Sequence, residues 1–171
     1  MVDVVSYNEK IILIRTFSVI EINKEHGRIR GLTISHISNI DEIYEAMSFG
    51  VNANQNMVDL FLSAIEEQYN SVGFIQNVLV NQDSRGKGFG KALLDAFLQK
   101  ECGFTEVDFL FASTCHAQRK GFNLIAFYRK AGFEPVFASN GDIFMANKGQ
   151  AKVLKSLMFG EPEPVNNVLS R

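Results

Sequence analysis

The sequence has few of the residues that mark specialised classes of protein. Its 171 residues include no tryptophan, three prolines and two cysteines. Cys102 and Cys115 form neither a CxxC pair nor another metal-binding spacing, so we expect two reduced thiols in a cytoplasmic protein. The formal net charge is only -2. This balance excludes a global attraction to nucleic acid or to an anionic membrane surface.

A long hydrophobic run is also missing. Asp3 stands where a secretory signal has lysine or arginine, and Arg15 interrupts the apolar stretch that follows. We therefore expect neither a signal peptide nor a membrane span. What is present is ordinary for a globular protein, with 46% hydrophobic residues and 15 phenylalanines. This content suits one domain with an aromatic core, which we expect over residues 1–160, followed by a flexible tail over residues 161–171.

The spacing of apolar residues predicts the order of the elements. The predicted elements are a hairpin of Glu9–Ile22 and Arg28–Ile37, two helices between Ser38 and Asn70, a strand at Phe74–Val80, a helix at Gly88–Glu101, a strand at Val107–Ala112, a helix at Phe122–Ala131, a hairpin of Phe133–Ala138 and Asp142–Ala146, and a helix at Gln150–Met158. Strand–helix–strand units require some parallel pairing. The order therefore predicts an α/β (α+β) fold with a mixed central sheet flanked by helices.

Three alternating glycines follow the strand that ends at Val80. Gly86, Gly88 and Gly90 stand directly before a helical pattern, and we call residues 85–91 the glycine loop. Glycines expose the main chain, and a helix start has N–H groups without partners, so the loop is a candidate phosphate cradle. The spacing matches neither GxGxxG nor GxxxxGK followed by Ser or Thr. A glycine-rich turn without a ligand is the alternative, but it does not account for the cations Arg85, Lys87 and Lys91.

The pattern Arg85-x-x-Gly88-x-Gly90 resembles the coenzyme A loop of the GCN5-related N-acetyltransferase (GNAT) superfamily. A second stretch, from Phe127-Tyr128 to Gly132-Phe133, is similar to the later helix-end motif of that family, and the two motifs have the right order and spacing. The resemblance covers roughly the second half of the chain. It implies a single-domain GNAT-like fold whose sheet is splayed at the cofactor site, with acetyl-CoA as cosubstrate and no metal.

The same resemblance assigns roles to residues. It implies that the glycine loop binds the pyrophosphate of acetyl-CoA through main-chain groups of Arg85, Gly86, Lys87, Gly88, Phe89, Gly90 and Lys91. The strand before it would pair with the pantetheine arm and polarise the thioester carbonyl through the backbone of Val78, Leu79 and Val80. Tyr128 would protonate the departing thiolate as a general acid, because a phenol holds its proton at neutral pH. A core aromatic is the structural alternative for Tyr128.

Three positions depart from the family pattern or leave a role open. Gln76 stands where many members carry a glutamate, and an amide cannot act as a base. His116 is a candidate base, although a surface-loop histidine is the simpler interpretation. Asn123 is out of register with an asparagine of the family, whose position falls on Gly121. The sequence therefore does not identify the base.

The predicted function is transfer of an acetyl group from acetyl-CoA to a primary amine by direct attack in a ternary complex. The amine could belong to a small molecule or a protein. One alternative is a non-catalytic acetyl-CoA sensor, which the glutamine at position 76 keeps open. Another is a toxin-like acetyltransferase acting on aminoacyl-tRNA, which the acidic balance disfavours. Apolar residues of the C-terminal helix also suggest a homodimer, namely Val153, Leu154, Leu157, Met158 and Phe159.

Overall fold

The computed structural model describes residues 2–7, 11–22, 26–34, 53–100, 102–103, 105–113 and 123–160. The strands are β1 (Val2–Tyr7), β2 (Ile11–Ile22), β3 (Gly27–Ile34), β4 (Val72–Val80), β5 (Val107–Ser113), β6 (Phe133–Ser139) and β7 (Asp142–Asn147). The helices are α1 (Gln55–Gln68), α2 (Phe89–Lys100), α3 (Leu124–Lys130) and α4 (Lys148–Phe159), and a short 3₁₀ turn lies at Gln82–Ser84. No described helix has the length and apolar character needed to cross a membrane.

The described strands form one mixed sheet in the order β1-β2-β3-β4-β5-β7-β6. Only the β4–β5 pair is parallel, and the other neighbours run antiparallel. The parallel pair is connected through α2, as a strand–helix–strand unit requires. The predicted α/β fold with a mixed, helix-flanked sheet is therefore confirmed. β1 has no counterpart among the predicted elements.

Both predicted hairpins are present. β2 and β3 pair antiparallel up to Ile22 and Gly27. β6 and β7 pair up to Ser139 and Asp142, and the loop between them is Asn140-Gly141 with φ angles of 47° and 86°. A two-residue loop with both φ angles positive is the turn that Asn-Gly favours, because its twist matches that of the strands.

Two hydrophobic clusters lie on opposite faces of the sheet. α1 and α4 cover the first cluster, which includes Leu32, Phe74 and Phe109, while α2 and α3 cover the second, which includes Ile75 and Leu110. β5 therefore alternates between two buried faces, as its nearly continuous apolar sequence predicts. The first cluster is centred on Phe61, whose ring centroid lies 5.4–5.6 Å from those of Phe109, Phe137 and Phe144.

The central strand β4 changes its pairing half-way along. It pairs with β5 only over Val72–Ile75, which we call the paired half. From Gln76 to Val80, which we call the open half, β4 does not pair with β5, and Asn77–Val80 pair with β3 alone. β5 continues against β7. The register between β3 and β4 shifts at the same point, so that Gln76 has no counterpart on β3. This is a β-bulge, which bends a strand and re-aims its side chains. The sheet is thus splayed between β4 and β5.

Several predicted features lie outside the described residues. They are the first of the two predicted helices, the tail over residues 161–171, and the side chains of Cys115 and His116. In α4, Leu154 and Met158 are buried in the first cluster, whereas Val153, Leu157 and Phe159 are exposed. The core thus accounts for two of the five apolar residues that suggested a dimer, and the dimer stays a prediction.

Candidate active site

The glycine loop begins directly after the open half of β4. The 3₁₀ turn closes with hydrogen bonds from Ser84 N to Asn81 O (2.9 Å) and from Arg85 N to Gln82 O (3.3 Å). Gly86 and Gly88 then adopt φ angles of 75° and 86°. These left-handed conformations favour glycine. A Cβ built at either residue has no atom within 4 Å, so the loop faces open space on this side.

A row of unpartnered N–H groups follows. Among the described residues, the backbone N–H groups of residues 86–91 have no hydrogen-bond acceptor, and the first bond of the helix runs from Ala92 N to Gly88 O at 3.0 Å. The positive end of the α2 dipole lies at the same place. Donors and dipole together fit an anion such as a pyrophosphate. This is where the sequence predicts the cradle.

The three cations of the loop have different surroundings. Arg85 Nε donates to the carbonyl oxygen of Val80 at 3.1 Å, so Arg85 joins the loop to the end of β4. Lys91 pairs with Asp95 one turn along α2. Lys87 has no hydrogen-bond or ion-pair partner among the described residues. Of the three, Lys87 is therefore the cation most available to pair with a bound anion.

Sequence reasoning finds no partner for His26, yet His26 makes three contacts with the glycine loop and the 3₁₀ turn before it. Its Nδ1 lies 2.9 Å from Ser84 Oγ, its ring stacks on Phe89 with centroids 4.3 Å apart, and its carbonyl oxygen accepts from Asn81 N at 2.9 Å. Ser84 is buried by this arrangement. The contact joins residues 58 positions apart. No local pattern predicts it, because it depends on the pairing of β3 with β4.

The two sequence motifs meet at Gly90. A Cβ at Gly90 would lie 3.5 Å from the Phe127 ring and 3.5 Å from Val80 Cγ2. These are ordinary van der Waals distances, so the helix start, the end of β4 and α3 lie in direct contact. The structure thus brings together the glycine loop, the open half of β4 and the helix that carries Tyr128.

Tyr128 lies in α3 on the side that faces the second cluster. Its side chain is 6% exposed and packs edge-on against Phe127 and Phe133, with centroids 5.1 Å and 6.4 Å away. Its hydroxyl has no hydrogen-bond partner among the described residues. Burial raises the pKa of Tyr128 to about 12, because a phenolate would lose its hydration there. The side chain therefore keeps its proton at neutral pH.

Asn123 and Gly132 fix the two ends of α3. Asn123 Oδ1 accepts from Ala126 N at 2.9 Å and caps the N-terminus. Gly132, with φ of 93°, follows the last turn in the left-handed conformation typical of a helix stop. Asn123 therefore acts as the N-cap of the short helix that presents Tyr128.

The predicted strand residues divide between the two faces of the sheet. Val78 and Val80 pack against the second cluster, which also contains Tyr128, while Leu79 on the other face is 46% exposed. Alternation along a strand explains the division. β5 does not pair with the open half of β4. The backbone groups of the open half that face β5 are therefore available to an extended ligand. Gln76, at the bulge, marks the inner end of this edge.

A sequence profile described as an acetyltransferase (GNAT) domain matches residues 53–135. Residues 53–135 therefore match a GNAT domain. The matched region contains β4, the glycine loop, α2, β5 and α3, and so includes both motifs of the GNAT resemblance. No curated protein matches the sequence significantly.

Solved structures match the chain at low similarity. The protein PH1933 from Pyrococcus horikoshii OT3 has 20% identity and a TM-score of 0.46, with 77% of this chain and 63% of that chain covered. Ard1 from Thermoplasma volcanium has 18% identity and a TM-score of 0.35, with 68% and 96% covered. Arabidopsis thaliana Naa50, in complex with the bisubstrate analogue CoA-Ac-MVNAL, has 16% identity and a TM-score of 0.35, with 76% and 96% covered.

Proposed function

We propose that this GNAT chain is an N-acetyltransferase that moves an acetyl group from acetyl-CoA to a primary amine. The observation that carries the proposal is the continuity between the open half of β4 and the unpartnered N–H groups of residues 86–91. An extended pantetheine arm would pair with the strand edge, and the pyrophosphate would occupy the cradle beyond it. The domain that does this would span residues 1–160, in the cytoplasm.

The proposed reaction is a direct acyl transfer. The lone pair of the neutral amine attacks the thioester carbonyl carbon and forms a tetrahedral intermediate, and the C–S bond then breaks. The acetyl group ends on nitrogen as an amide, the sulfur takes a proton to become the free thiol of CoA, and the nitrogen loses one proton to solvent. Backbone N–H groups of Val78–Val80 would stabilise the oxyanion.

Tyr128 is the proposed proton donor to the departing sulfur. Its high pKa means that the phenol is fully protonated at neutral pH. The same high pKa makes a free phenolate unfavourable. The hydroxyl therefore acts best by donating a hydrogen bond that becomes a proton transfer only as negative charge develops on sulfur. Solvent then restores the proton.

Removal of the ammonium proton is assigned to solvent rather than to a side chain. Gln76 stands at the bulge where a base would be placed, and its amide cannot accept a proton at neutral pH. No other described carboxylate or imidazole is assigned this role. We therefore expect the acceptor to react as the neutral amine, and the rate to rise with pH as the amine loses its proton.

Substitution of Tyr128 by phenylalanine tests the proposal. We expect Tyr128→Phe to lower kcat by about 100-fold, in the range of general acid catalysis, while the Kd for acetyl-CoA changes little. Tyr69→Phe is a matched control, because Tyr69 donates to Gln150 Oε1 at 2.7 Å on the opposite side of the sheet. Thiol release from acetyl-CoA gives kcat, and calorimetry gives Kd. Equal activity of Tyr128→Phe and wild type would remove Tyr128 from the mechanism.

A sensor that binds acetyl-CoA without turnover is the second candidate. Gln76 is the observation that favours it, because the usual carboxylate is missing from the bulge. Tight binding of acetyl-CoA with no thiol release for any amine would support the sensor. Turnover with a single amine would exclude it.

A further inference from the structure

Two residues with unpartnered buried polar atoms stand opposite each other where the β3–β4 pairing resumes after the bulge. Arg30 and Asn77 are directly opposite each other in the register. Arg30 Nε and Asn77 Oδ1 are both buried, and neither has a hydrogen-bond partner among the described residues. A buried donor or acceptor without a partner costs free energy. Two such atoms on paired residues, next to the splay, point to a ligand that supplies their missing hydrogen-bond partners.

The pair lies on the face of the sheet opposite Tyr128. Along β3, Arg30 shares its side with Leu32, which belongs to the cluster under α1 and α4. Tyr128 belongs to the cluster on the other face, together with Val78. A group bound by Arg30 and Asn77 would therefore approach the splay from the side opposite the proposed proton donor. This placement suits a direct transfer, because the attacking amine approaches the carbonyl carbon from a different direction than the one in which the sulfur departs.

The charge of the pair limits what it can bind. Arg30 forms no ion pair with a described carboxylate. A half-buried cation without a counter-ion disfavours a second cation, such as a polyamine. The planar guanidinium instead matches a carboxylate, which can accept from Nε–H and a terminal N–H together. Asn77 Oδ1 is a hydrogen-bond acceptor, so its missing partner is an N–H donor of the ligand rather than the carboxylate.

We infer that the acceptor amine carries a carboxylate, as in an amino acid, that Arg30 binds this carboxylate, and that Asn77 Oδ1 accepts a hydrogen bond from an N–H of the amine. The inference rests on the proposed acetyltransferase function and names the substrate class of the same site. Arg30 supplies the charge, and Asn77, one residue beyond the bulge, orients the bound group. The amine then lies towards the splay between β4 and β5, where the thioester would be.

Matched pairs of amines test the substrate class. Lysine is compared with cadaverine, and phenylalanine with phenethylamine, since each pair differs by one carboxylate. We expect kcat/KM to be at least about tenfold higher for the amino acid, as for a hydrogen bond to a charged group. Equal values, or a preference for the decarboxylated amine, would overturn the inference while leaving the acetyltransferase proposal intact.

Variants of Arg30 connect the preference to the residue. Arg30→Gln should lower kcat/KM for the amino acid by about tenfold or more and leave the decarboxylated amine within about twofold. Arg28→Gln is the matched control, because Arg28 lies two residues away on the same side of β3 but is exposed. Arg28→Gln should prefer the amino acid over the decarboxylated amine by the same factor as wild type. Asn77→Ala should reduce the preference by less than Arg30→Gln. A loss that is equal for both amines would overturn the assigned role.

A binding measurement keeps the inference testable without turnover. The Arg30 Nε–H signal is identified in nitrogen-15 NMR spectra by its absence from Arg30→Lys. We expect this signal to shift on titration with lysine and not with cadaverine. Thermal unfolding adds a second readout, since Arg30→Gln removes an unsatisfied buried donor and should not lower the Tm. No shift with any amino acid would overturn the inference, whereas failure of acetyl-CoA to bind would count against the proposed function.

Discussion

The two halves of β4 belong to one strand but have different surroundings. In the paired half, Val72, Phe74 and Ile75 are at most 2% exposed, and both neighbouring strands bond to the backbone. In the open half, Leu79 is 46% exposed and β5 no longer pairs. Nine consecutive residues thus contain both the centre of the core and the edge of the candidate site.

This difference shows how one residue separates stability from function within a strand. The bulge at Gln76 shifts the register with β3 and coincides with the end of the β5 pairing. Backbone groups that lose a strand partner need water or a ligand in its place. The paired half therefore contributes to folding, and the open half retains the hydrogen-bonding capacity that an extended substrate can use.

The largest expected effect compares Phe74→Ala with Leu79→Ala. Phe74 is buried and stacks on Phe109 with centroids 4.9 Å apart, so its truncation should lower the free energy of unfolding by about 3–5 kcal/mol. Leu79 is half exposed, and Leu79→Ala should lower it by less than about 0.5 kcal/mol. Urea unfolding measures both. Similar losses in the two variants would contradict the division of β4 into two halves.

A smaller effect is expected where the open half leads into the glycine loop. Gly88 and Gly160 both have positive φ angles, 86° and 78°, and free space where alanine would place its methyl group. Alanine at either position should cost about 1 kcal/mol of stability from backbone strain. Only Gly88→Ala should also weaken acetyl-CoA binding, by about tenfold, because it distorts the row of N–H donors. Calorimetry should find an unchanged Kd for acetyl-CoA in Gly160→Ala. An equal loss of affinity in Gly160→Ala would contradict a specific role of Gly88 in binding.

The smallest effect is a pH profile that stays flat at alkaline pH. Proton donation needs the phenol form of Tyr128, and this form is lost only as the pH rises through its pKa of about 12. With an acceptor amine that is already neutral, kcat should therefore change less than about twofold between pH 9 and pH 10.5. An ordinary tyrosine would lose more than half its phenol form over this range. A fall in kcat with an apparent pKa near 10 would contradict burial of the hydroxyl.

Most of the fold is predictable because its signals are local. The glycines and the helical pattern after Val80 predict α2, and Asn140-Gly141 predicts the β6–β7 turn. Helix and strand ends agree within a few residues, since caps and turns act over short distances. The glycine loop and the Tyr128 motif are likewise contiguous in sequence, and the structure brings them into contact at Gly90. That they bind acetyl-CoA stays a prediction.

The remainder depends on contacts between distant segments. Nothing in the residues around Gln76 predicts a bulge, because the register shift is defined by β3, more than 40 positions earlier in the chain. The juxtaposition of Arg30 with Asn77 follows from the same pairing. β1 is short and has two polar residues among its six, so its apolar pattern is weak until β2 lies beside it.

The stacking of His26 on Phe89 also has a consequence for how the protein folds. The neighbouring contact of His26 with Ser84 joins residues 58 positions apart, and closing this loop has an entropic cost that must be met before the contacts stabilise anything. Local elements such as α2 can form early, whereas the buried Ser84 acquires its partner His26 only after the N-terminal hairpin has docked. The ability to hold an anion would thus mature late on the folding pathway. A segment limited to the matched residues 53–135 would contain every glycine of the loop and lack the ring that holds it in shape.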